Sequence, residues 1–395
     1  MNLHNPNAGA PSLPFDAAHL DDLMEKAGID VLLITSKHNI QYLLGGYRYF
    51  FHDYSDAIGV SRYLPILIYP LGQPEKAAYV GQSMEVYEQQ NERFWTPYVT
   101  TSSWGTLDAA AIAIEHLRAL GLPVGHIGVE FSFLPYDAAR ALEAAFPESR
   151  LVEAYFPLER LRACKSPQEL QLIREASERV VDSMIATFSA LAPGMTKREA
   201  VARLRSEETD RDLVFEYCLI SAGQSLNRAP SDQPLGAGDI LSLDSGGRYR
   251  GYIGDLCRMG ILGEPDAELE DMLAEVEAVQ RAARGPIRAG ARGGDIYTPA
   301  LEAVKASPNR AHMHFVAHGM GIVGHEAPRL SSRTPVGYEG YDADLPLQAG
   351  MVLSVETTLE HPRRGLIKIE DTLAVTQAGF EAYGDRGRAW NGSAR

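Results

Sequence analysis

The pattern of apolar and polar positions divides the chain into two halves that differ in how helices and strands follow one another. In residues 1–160, an amphipathic helix around Leu20 and Met24 precedes the apolar strand DVLLIT. Further strand-like runs (LPILIYP, KAAYV, HIGVE) are interspersed with the helical patterns TLDAAAIAIEHLRALG and YDAARALEAAF. Strands that alternate with helices predict a mixed or parallel sheet covered by helices, in a small N-terminal α/β domain.

Residues 161–395 predict a different arrangement. A long helix begins at Pro167 behind the N-cap Ser166, and three more helical patterns follow it. Between and after them lie the strand-like runs VFEYCLISA, DILSLD, GYIGDLCRMG, HMHFVAHG, MVLSVE and LIKIEDTLAV. Hairpin-like neighbours among these runs predict a curved antiparallel sheet backed by helices, so the fold class of this half is α+β rather than doubly wound.

Composition excludes some classes of partner. The formal net charge of −15 argues against nucleic acid or an anionic membrane surface, either of which requires a basic face. No run approaches 18 apolar residues, and the first twenty residues lack an apolar segment after a basic start, so we expect neither a membrane span nor a signal peptide. Three scattered cysteines fit a reducing cytoplasm without disulfides.

Five residues of metal-binding type lie at or beside the strands of the second half: Asp244, Asp255, His318, Glu356 and Glu370. The two aspartates bracket a glycine-rich turn, and the two glutamates bracket a turn that contains proline and glycine. If each segment folds back at its midpoint, each acidic pair becomes a cross-strand neighbour on one face of a sheet. Because like charges in that position destabilise a sheet, the pattern predicts divalent cations between them. Oxygen-rich ligation with one histidine suits two ions of Mn, Co, Fe or Zn.

Each of these residues alone has an ordinary explanation. A strand-end aspartate before glycine is usually a turn residue, and Arg258 or Lys368 could neutralise one buried carboxylate. Four carboxylates arranged as two hairpin pairs favour a metal site, because each is costly to bury unless it is paired or ligating. His318 is followed by glycines that allow close backbone approach, and His325 lies seven residues further on.

The segments that carry these residues resemble the pita-bread metallohydrolases: prolidase, aminopeptidase P, methionine aminopeptidase and their creatinase-like relatives. The matching stretches are LSLDSGGRYRGYIGDLCR, AHGMGIVGHEAPR, LQAGMVLSVE and IKIEDTLAVTQAG. GIDVLLITSKHNIQYLLGG and LERLRACKSPQELQLIREAS are similar to the prolidase and creatinase N-terminal domain and to the start of its catalytic domain. The resemblance implies a creatinase-type domain over residues 1–160, a pita-bread catalytic domain over residues 161–395, and a homodimer.

The resemblance also implies roles for the five candidate ligands. Asp244 and Asp255 would bind metal through their carboxylates, with Asp255 and Glu370 bridging two ions. His318 would bind one ion only. Glu356 would ligate and act as general base for a metal-bridging water, so that the resulting hydroxide attacks an amide C–N bond of an Xaa-Pro dipeptide or a small amidic amino-acid derivative.

Four further positions follow from the resemblance. His325 would hydrogen-bond the substrate carbonyl or the oxyanion, and Arg329 would bind a substrate carboxylate. Asn227 stands where peptidases of this family usually carry a histidine, and cannot titrate near neutrality. Lys368 stands where an arginine is common, and keeps the charge without bidentate geometry. We therefore retain an alternative, a metal-dependent lyase or hydrolase of a small zwitterion. A non-enzymatic binding module is disfavoured by the intact ligand set.

An unusually aromatic segment, YRYFFHDYSDAIGVSRYLP at residues 47–65, has two interpretations. Tyr47, Tyr49, Phe50, Phe51 or His52 could shape the substrate pocket of the neighbouring subunit. Alternatively, they belong to the core of the N-terminal domain or to a dimer contact without a role in substrate binding.

Overall fold

The chain divides into two compact units, Met1–Arg162 and Ala163–Arg395. A computed structural model describes residues 13–52, 63–122, 124–331 and 339–392. In the described part, no helix is long and apolar enough to cross a membrane.

The first unit contains a mixed six-stranded sheet of the order β4-β3-β2-β1-β5-β6. Its β1 pairs antiparallel with β2 and parallel with β5, as the predicted mixture of orientations requires. The elements are α1 (Ala17–Ala27), β1 (Val31–Ile34), α2 (Lys37–Leu43), β2 (Ile66–Pro70), β3 (Ala78–Gln82), α3 (Val86–Gln90), β4 (Tyr98–Ser103), α4 (Thr106–Ala119), β5 (His126–Val129), α5 (Tyr136–Ala145), β6 (Arg150–Glu153) and α6 (Tyr155–Leu161).

The aromatic segment contributes to the interior of this unit. Tyr47, Tyr49 and His52 are buried, whereas Phe50 is 59 % exposed. Tyr47 donates a hydrogen bond to Oε2 of buried Glu85, at 2.8 Å. Residues 53–62 lie outside the described ranges, so the predicted role of the segment in a neighbouring pocket stays a prediction.

The second unit carries the predicted antiparallel sheet. Its main path has the order β10-β11-β12-β9-β8-β7, with β13 paired to β12 and β14 paired to β9. The elements are α7 (Pro167–Ala190), α8 (Lys197–Thr209), β7 (Val214–Ala222), β8 (Ile240–Tyr249), β9 (Tyr252–Ile261), α9 (Ala267–Arg284), α10 (Tyr297–Ala306), β10 (Met313–Gly319), β11 (Val352–His361), β12 (Gly365–Val375), β13 (Phe380–Tyr383) and β14 (Asn391–Gly392).

Helix α7 begins as the sequence predicts and packs closely against β9. Ser166 accepts a hydrogen bond from the Glu169 backbone N–H in a capping box. A Cβ atom on Gly254 would lie 2.7 Å from the backbone of α7 at Ala176, so glycine is needed there. Because successive strand residues point to opposite faces, Asp255 points away from the helix.

The turn between β8 and β9 sets the register of this hairpin. Its two central residues, Arg250 and Gly251, have φ angles of 48° and 93°. Two consecutive positive φ angles are typical of the type I′ turn, whose twist matches that of antiparallel strands. The turn therefore fixes which residues of β8 and β9 face each other.

Candidate metal centre

A row of side chains crosses four adjacent strands on the face opposite α7. Glu356 on β11 pairs with Glu370 on β12, Glu370 pairs with Cys257 on β9, and Cys257 pairs with Asp244 on β8. The two glutamates are thus direct cross-strand neighbours, as predicted. The two aspartates are not, because Asp255 pairs with Gly246 instead. The turn at Arg250–Gly251 offsets them by two residues, so they lie diagonally on one face.

A second row lies two residues further along the same strands. His318 on β10 pairs with Ser354, and Ser354 pairs with Thr372. The Thr372 hydroxyl donates a hydrogen bond to the backbone oxygen of Asp255, at 3.2 Å. Asp255, His318 and Glu370 each offer one ligand atom within 4.8 Å of the others. The strand register therefore brings together residues separated by more than a hundred positions in sequence.

Two cationic side chains enter this group of acids. Lys368 Nζ lies 2.6 Å from Oδ2 of Asp244, 2.6 Å from Oε2 of Glu356 and 2.9 Å from Oε2 of Glu370. Arg228 forms an ion pair with the same oxygen of Asp244. Lys368 thus contacts three predicted ligands directly.

The donor atoms of the site fit a divalent cation. His318 Nε2 and Glu370 Oε2 are buried, and neither makes a hydrogen bond among the described residues. His318 Nε2 does lie 3.3 Å from Glu356 Oε1. A buried polar atom without a hydrogen bond is costly, and metal ligation satisfies such an atom. Carboxylate oxygens with one imidazole nitrogen are the donors that Mn, Fe, Co and Zn accept.

Protonation of the acids reflects their crowding. Burial and the neighbouring Asp244 raise the pKa of the Asp255 carboxyl to about 6. Burial and Asp255 raise the pKa of Glu370 well above its usual value. Burial alone would raise the pKa of Glu356 too, but Lys368 and His318 overcome it and hold that pKa low. Cation binding relieves the repulsion that raises the first two pKa values.

The acids face a cavity of about 730 Å³. His325 lies at its wall and stacks on His318, with ring centroids 3.8 Å apart and an angle of 16° between the ring planes. Burial, with a contribution from His318, lowers the pKa of His325 to about 4, so its imidazole is neutral at pH 7. The lining residues are Tyr217, Leu219, Arg228, Asp244, Asp255, His314, Val316, Gly324, His325, Glu356, Thr358, Glu360, Lys368 and Glu370.

Two predicted substrate-binding residues, Asn227 and Arg329, are not among the residues that line the cavity. Asn227 is exposed, and its Oδ1 accepts a hydrogen bond from the Ala229 backbone N–H at 3.0 Å. Arg329 is buried, and its backbone N–H donates to Oδ2 of Asp342 at 2.8 Å. Neither side chain belongs to the cavity wall, whereas Arg228, the residue after Asn227, does. Their predicted contact with substrate stays a prediction.

Sequence reasoning missed three residues that touch the acids. Ser354 Oγ donates to Oε1 of Glu370 at 2.8 Å, and the Tyr217 hydroxyl donates to Oδ1 of Asp255. The third is Arg228. Ser354 precedes Glu356 by two residues on one strand, so the period of two could have placed it on the ligand face. No local signal marks Tyr217 or Arg228. The position of Tyr217 depends on the pairing of β7 with β8, and that of Arg228 depends on how the connection between these strands folds back against Ile220 of β7.

Comparison with known families assigns both parts of the chain. Residues 171–377 match the model for metallopeptidase family M24. Residues 17–164 match the model for the creatinase/prolidase N-terminal domain.

Individual relatives are similar over nearly the whole length. A protein described as an uncharacterized peptidase, YqhT of Bacillus subtilis, is 25 % identical over 91 % of this chain and 95 % of its own length. An Xaa-Pro dipeptidase of Pyrococcus horikoshii is 24 % identical over 91 % of this chain and 93 % of its own length. The solved structure of an Xaa-Pro dipeptidase from Bacillus anthracis superposes with a TM-score of 0.79 at 21 % identity, covering 95 % of this chain and 98 % of that one. These structural likenesses agree with the predicted pita-bread fold.

Proposed function

Because the chain belongs to metallopeptidase family M24 and is a metal-dependent hydrolase, we propose that it cleaves the amide C–N bond of an Xaa-Pro dipeptide or a small amidic amino-acid derivative. The observation that carries the proposal is the convergence of Asp255, His318 and Glu370 at a cavity that also exposes Glu356 and His325. The names of the relatives support a dipeptide substrate over the small-zwitterion alternative.

Each residue of the site has a task in this reaction. Asp244, Asp255, His318, Glu356 and Glu370 would hold two divalent cations, which supply Lewis-acid activation of the scissile carbonyl and of water. A carboxylate oxygen of Glu356 accepts the proton of the attacking water, since its low pKa keeps it ionised. Neutral His325 donates a ring N–H to the oxygen on which charge develops.

We propose a domain organisation and an oligomeric state as well. Residues 1–160 would form the creatinase-type domain and residues 161–395 the catalytic domain, which the two compact units and the two family matches support. A homodimer and a cytoplasmic location are parts of the same proposal.

Turnover by the full chain tests the activity. Protein freed of metal is supplied in turn with Mn, Co, Fe and Zn and assayed on Xaa-Pro dipeptides, on their amides and on small zwitterions. We expect dipeptide hydrolysis with at least one metal. Turnover confined to the small zwitterions that contain no peptide bond, or no turnover at all, would refute the dipeptidase proposal.

Glu356→Gln tests the general base. We expect a loss of kcat of about 10²- to 10⁴-fold, the usual contribution of a positioned base. The matched control is Glu360→Gln, because Glu360 lines the same cavity on the same strand without being a predicted ligand. A loss of less than about tenfold for Glu356→Gln, at equal metal content, excludes Glu356 as the base.

A further inference from the structure

The Lys368 ammonium lies among the predicted carboxylate ligands and not at their edge. Its side chain is 5 % exposed, and its ammonium lies within ion-pair distance of Asp244, Glu356 and Glu370. Three carboxylates in ion-pair contact favour the charged form of this buried ammonium, so the side chain is an internal cation.

The charges around this ammonium are unevenly distributed. Lys368 and Arg228 both contact Asp244, so this carboxylate already has two cationic partners. By contrast, Asp255 has no ion pair with lysine or arginine among the described residues. Metal ligation requires all four carboxylates to be ionised, and the two cations Lys368 and Arg228 then leave two negative charges, which one divalent ion neutralises.

Two buried ligand atoms of the site, His318 Nε2 and Glu370 Oε2, make no hydrogen bond among the described residues. Both residues belong to the group whose ligand atoms converge with Asp255. Oε2 of Glu370 lies 2.9 Å from Lys368 Nζ without hydrogen-bond geometry, whereas Asp255 has no such cationic contact among the described residues. A first cation can therefore reach Asp255 and His318 without displacing the ammonium.

We propose that Lys368 makes the two cation positions unequal. One divalent ion binds tightly through Asp255, His318 and Glu370, and a second binds on the Asp244 side only when the ammonium withdraws. A lysine suits this role because its charge is compact and sits on a flexible four-carbon stem. The inference rests on the metal site of the proposed function, and makes Lys368 a competitor for one half of it.

Metal binding by the full chain tests this inference without reference to turnover. Protein freed of metal by chelation is titrated with MnCl₂ by isothermal calorimetry, and bound manganese is counted after equilibrium dialysis. We expect the wild type to bind one ion with an affinity at least tenfold greater than the second. Lys368→Met keeps a long, unbranched and flexible side chain but removes its charge, and should narrow this ratio to about threefold or less.

Two variants act as controls. Lys368→Arg keeps the charge and should keep the affinities unequal. Arg228→Gln removes the other contact of Asp244 but leaves the ammonium in place, and should change the ratio less than Lys368→Met does. Electron paramagnetic resonance at one equivalent of Mn should show isolated ions in the wild type and a larger share of coupled pairs in Lys368→Met.

Equal affinities for two ions in the wild type would overturn the inference, even if Lys368→Met failed to fold. An unchanged ratio in a folded Lys368→Met protein, with the native circular dichroism spectrum, would overturn it too. These results are independent of the dipeptide assay. A protein that binds two ions unequally but hydrolyses no dipeptide would refute the proposed activity and leave the role of Lys368 standing.

Discussion

Asp371 follows Glu370 on β12 and points to the opposite face of the sheet, where it forms ion pairs and a hydrogen bond. Its Oδ2 accepts hydrogen bonds from Gln280 Nε2 and lies near an Arg284 guanidinium nitrogen, each at 2.6 Å. Its Oδ1 lies 2.5 Å from Arg388 Nη1. Burial alone would raise the pKa of this carboxyl, but the surrounding arginines hold it at about 2.

Asp371→Asn should destabilise the second unit by about 3 kcal/mol. Lowering of the pKa from 3.8 to about 2 corresponds to roughly 2 kcal/mol at 1.36 kcal/mol per pH unit. Breaking a buried ion pair by removing one partner costs about 3–5 kcal/mol. The asparagine amide cannot replace the lost carboxylate contacts, because either orientation places its NH₂ group against a donor from Gln280 or Arg388. Since the native pKa is depressed, the stabilisation is present above pH 3.8 and lost as pH falls through 2. The destabilisation caused by Asp371→Asn should therefore be constant from pH 5 to 8.

Unfolding in urea measures this loss, provided that the signal comes from the second unit. Trp390 is the one tryptophan in that unit. Its emission in a background of Trp95→Phe and Trp104→Phe reports the relevant transition. The control is Asp385→Asn, because Asp385 pairs with the same arginines, Arg284 and Arg388, but its side chain is 36 % exposed. We expect the control to cost less than about 1 kcal/mol. A cost below about 1 kcal/mol for Asp371→Asn, or equal costs for both variants, would refute this reasoning.

Two further predictions concern stability. Burial raises the pKa of the fully buried Glu208 from 4.5 to about 8, although the Ser245 hydroxyl donates to its Oε1 at 2.8 Å. The stability contributed by protonated Glu208 is thus complete below pH 4.5 and lost as pH rises through 8. The free energy of unfolding of Glu208→Gln should therefore rise relative to that of the wild type by up to about 4 kcal/mol between pH 5 and 8. Urea unfolding at both pH values measures this gain, and a pH-independent difference would contradict it. Gly365 has a φ of 92°, and a Cβ atom there would overlap the Gly223 carbonyl oxygen. Gly365→Ala should therefore lower the free energy of unfolding by at least about 2 kcal/mol in the same measurement. The control is Gly379→Ala, where a Cβ atom meets nothing within 4 Å, and its free energy of unfolding should stay within about 0.5 kcal/mol of the wild type. Equal costs for the two variants would contradict the predicted overlap.

Local patterns were sufficient for much of the fold. Capping at Ser166 located the start of α7, and the apolar runs MVLSVE and LIKIEDTLAV located β11 and β12. Short elements such as α3 and β4 were missed, because a helix of five residues or a half-exposed strand has too few periodic positions to be recognised.

The site was harder to predict in detail. The direct pairing of Glu356 with Glu370 followed from a short hairpin, because a tight connection leaves few possible registers. The diagonal offset of Asp244 and Asp255 depended on where the turn at Arg250–Gly251 falls, and a glycine-rich segment allows several positions for it. Side chains on β7 depended on a register with a bulge between Phe215 and Tyr217, which no local pattern predicts.

The sequence by itself determined which chemical groups are available and which share a face, because the two-residue period of a strand is a local property. Tertiary structure decided which atoms meet. It placed the Lys368 ammonium among three carboxylates, and it lined the cavity with Arg228 while Asn227 faces solvent. Such contacts depend on pairing between strands distant in the chain and on side-chain conformations chosen by packing, and neither is encoded in any short segment.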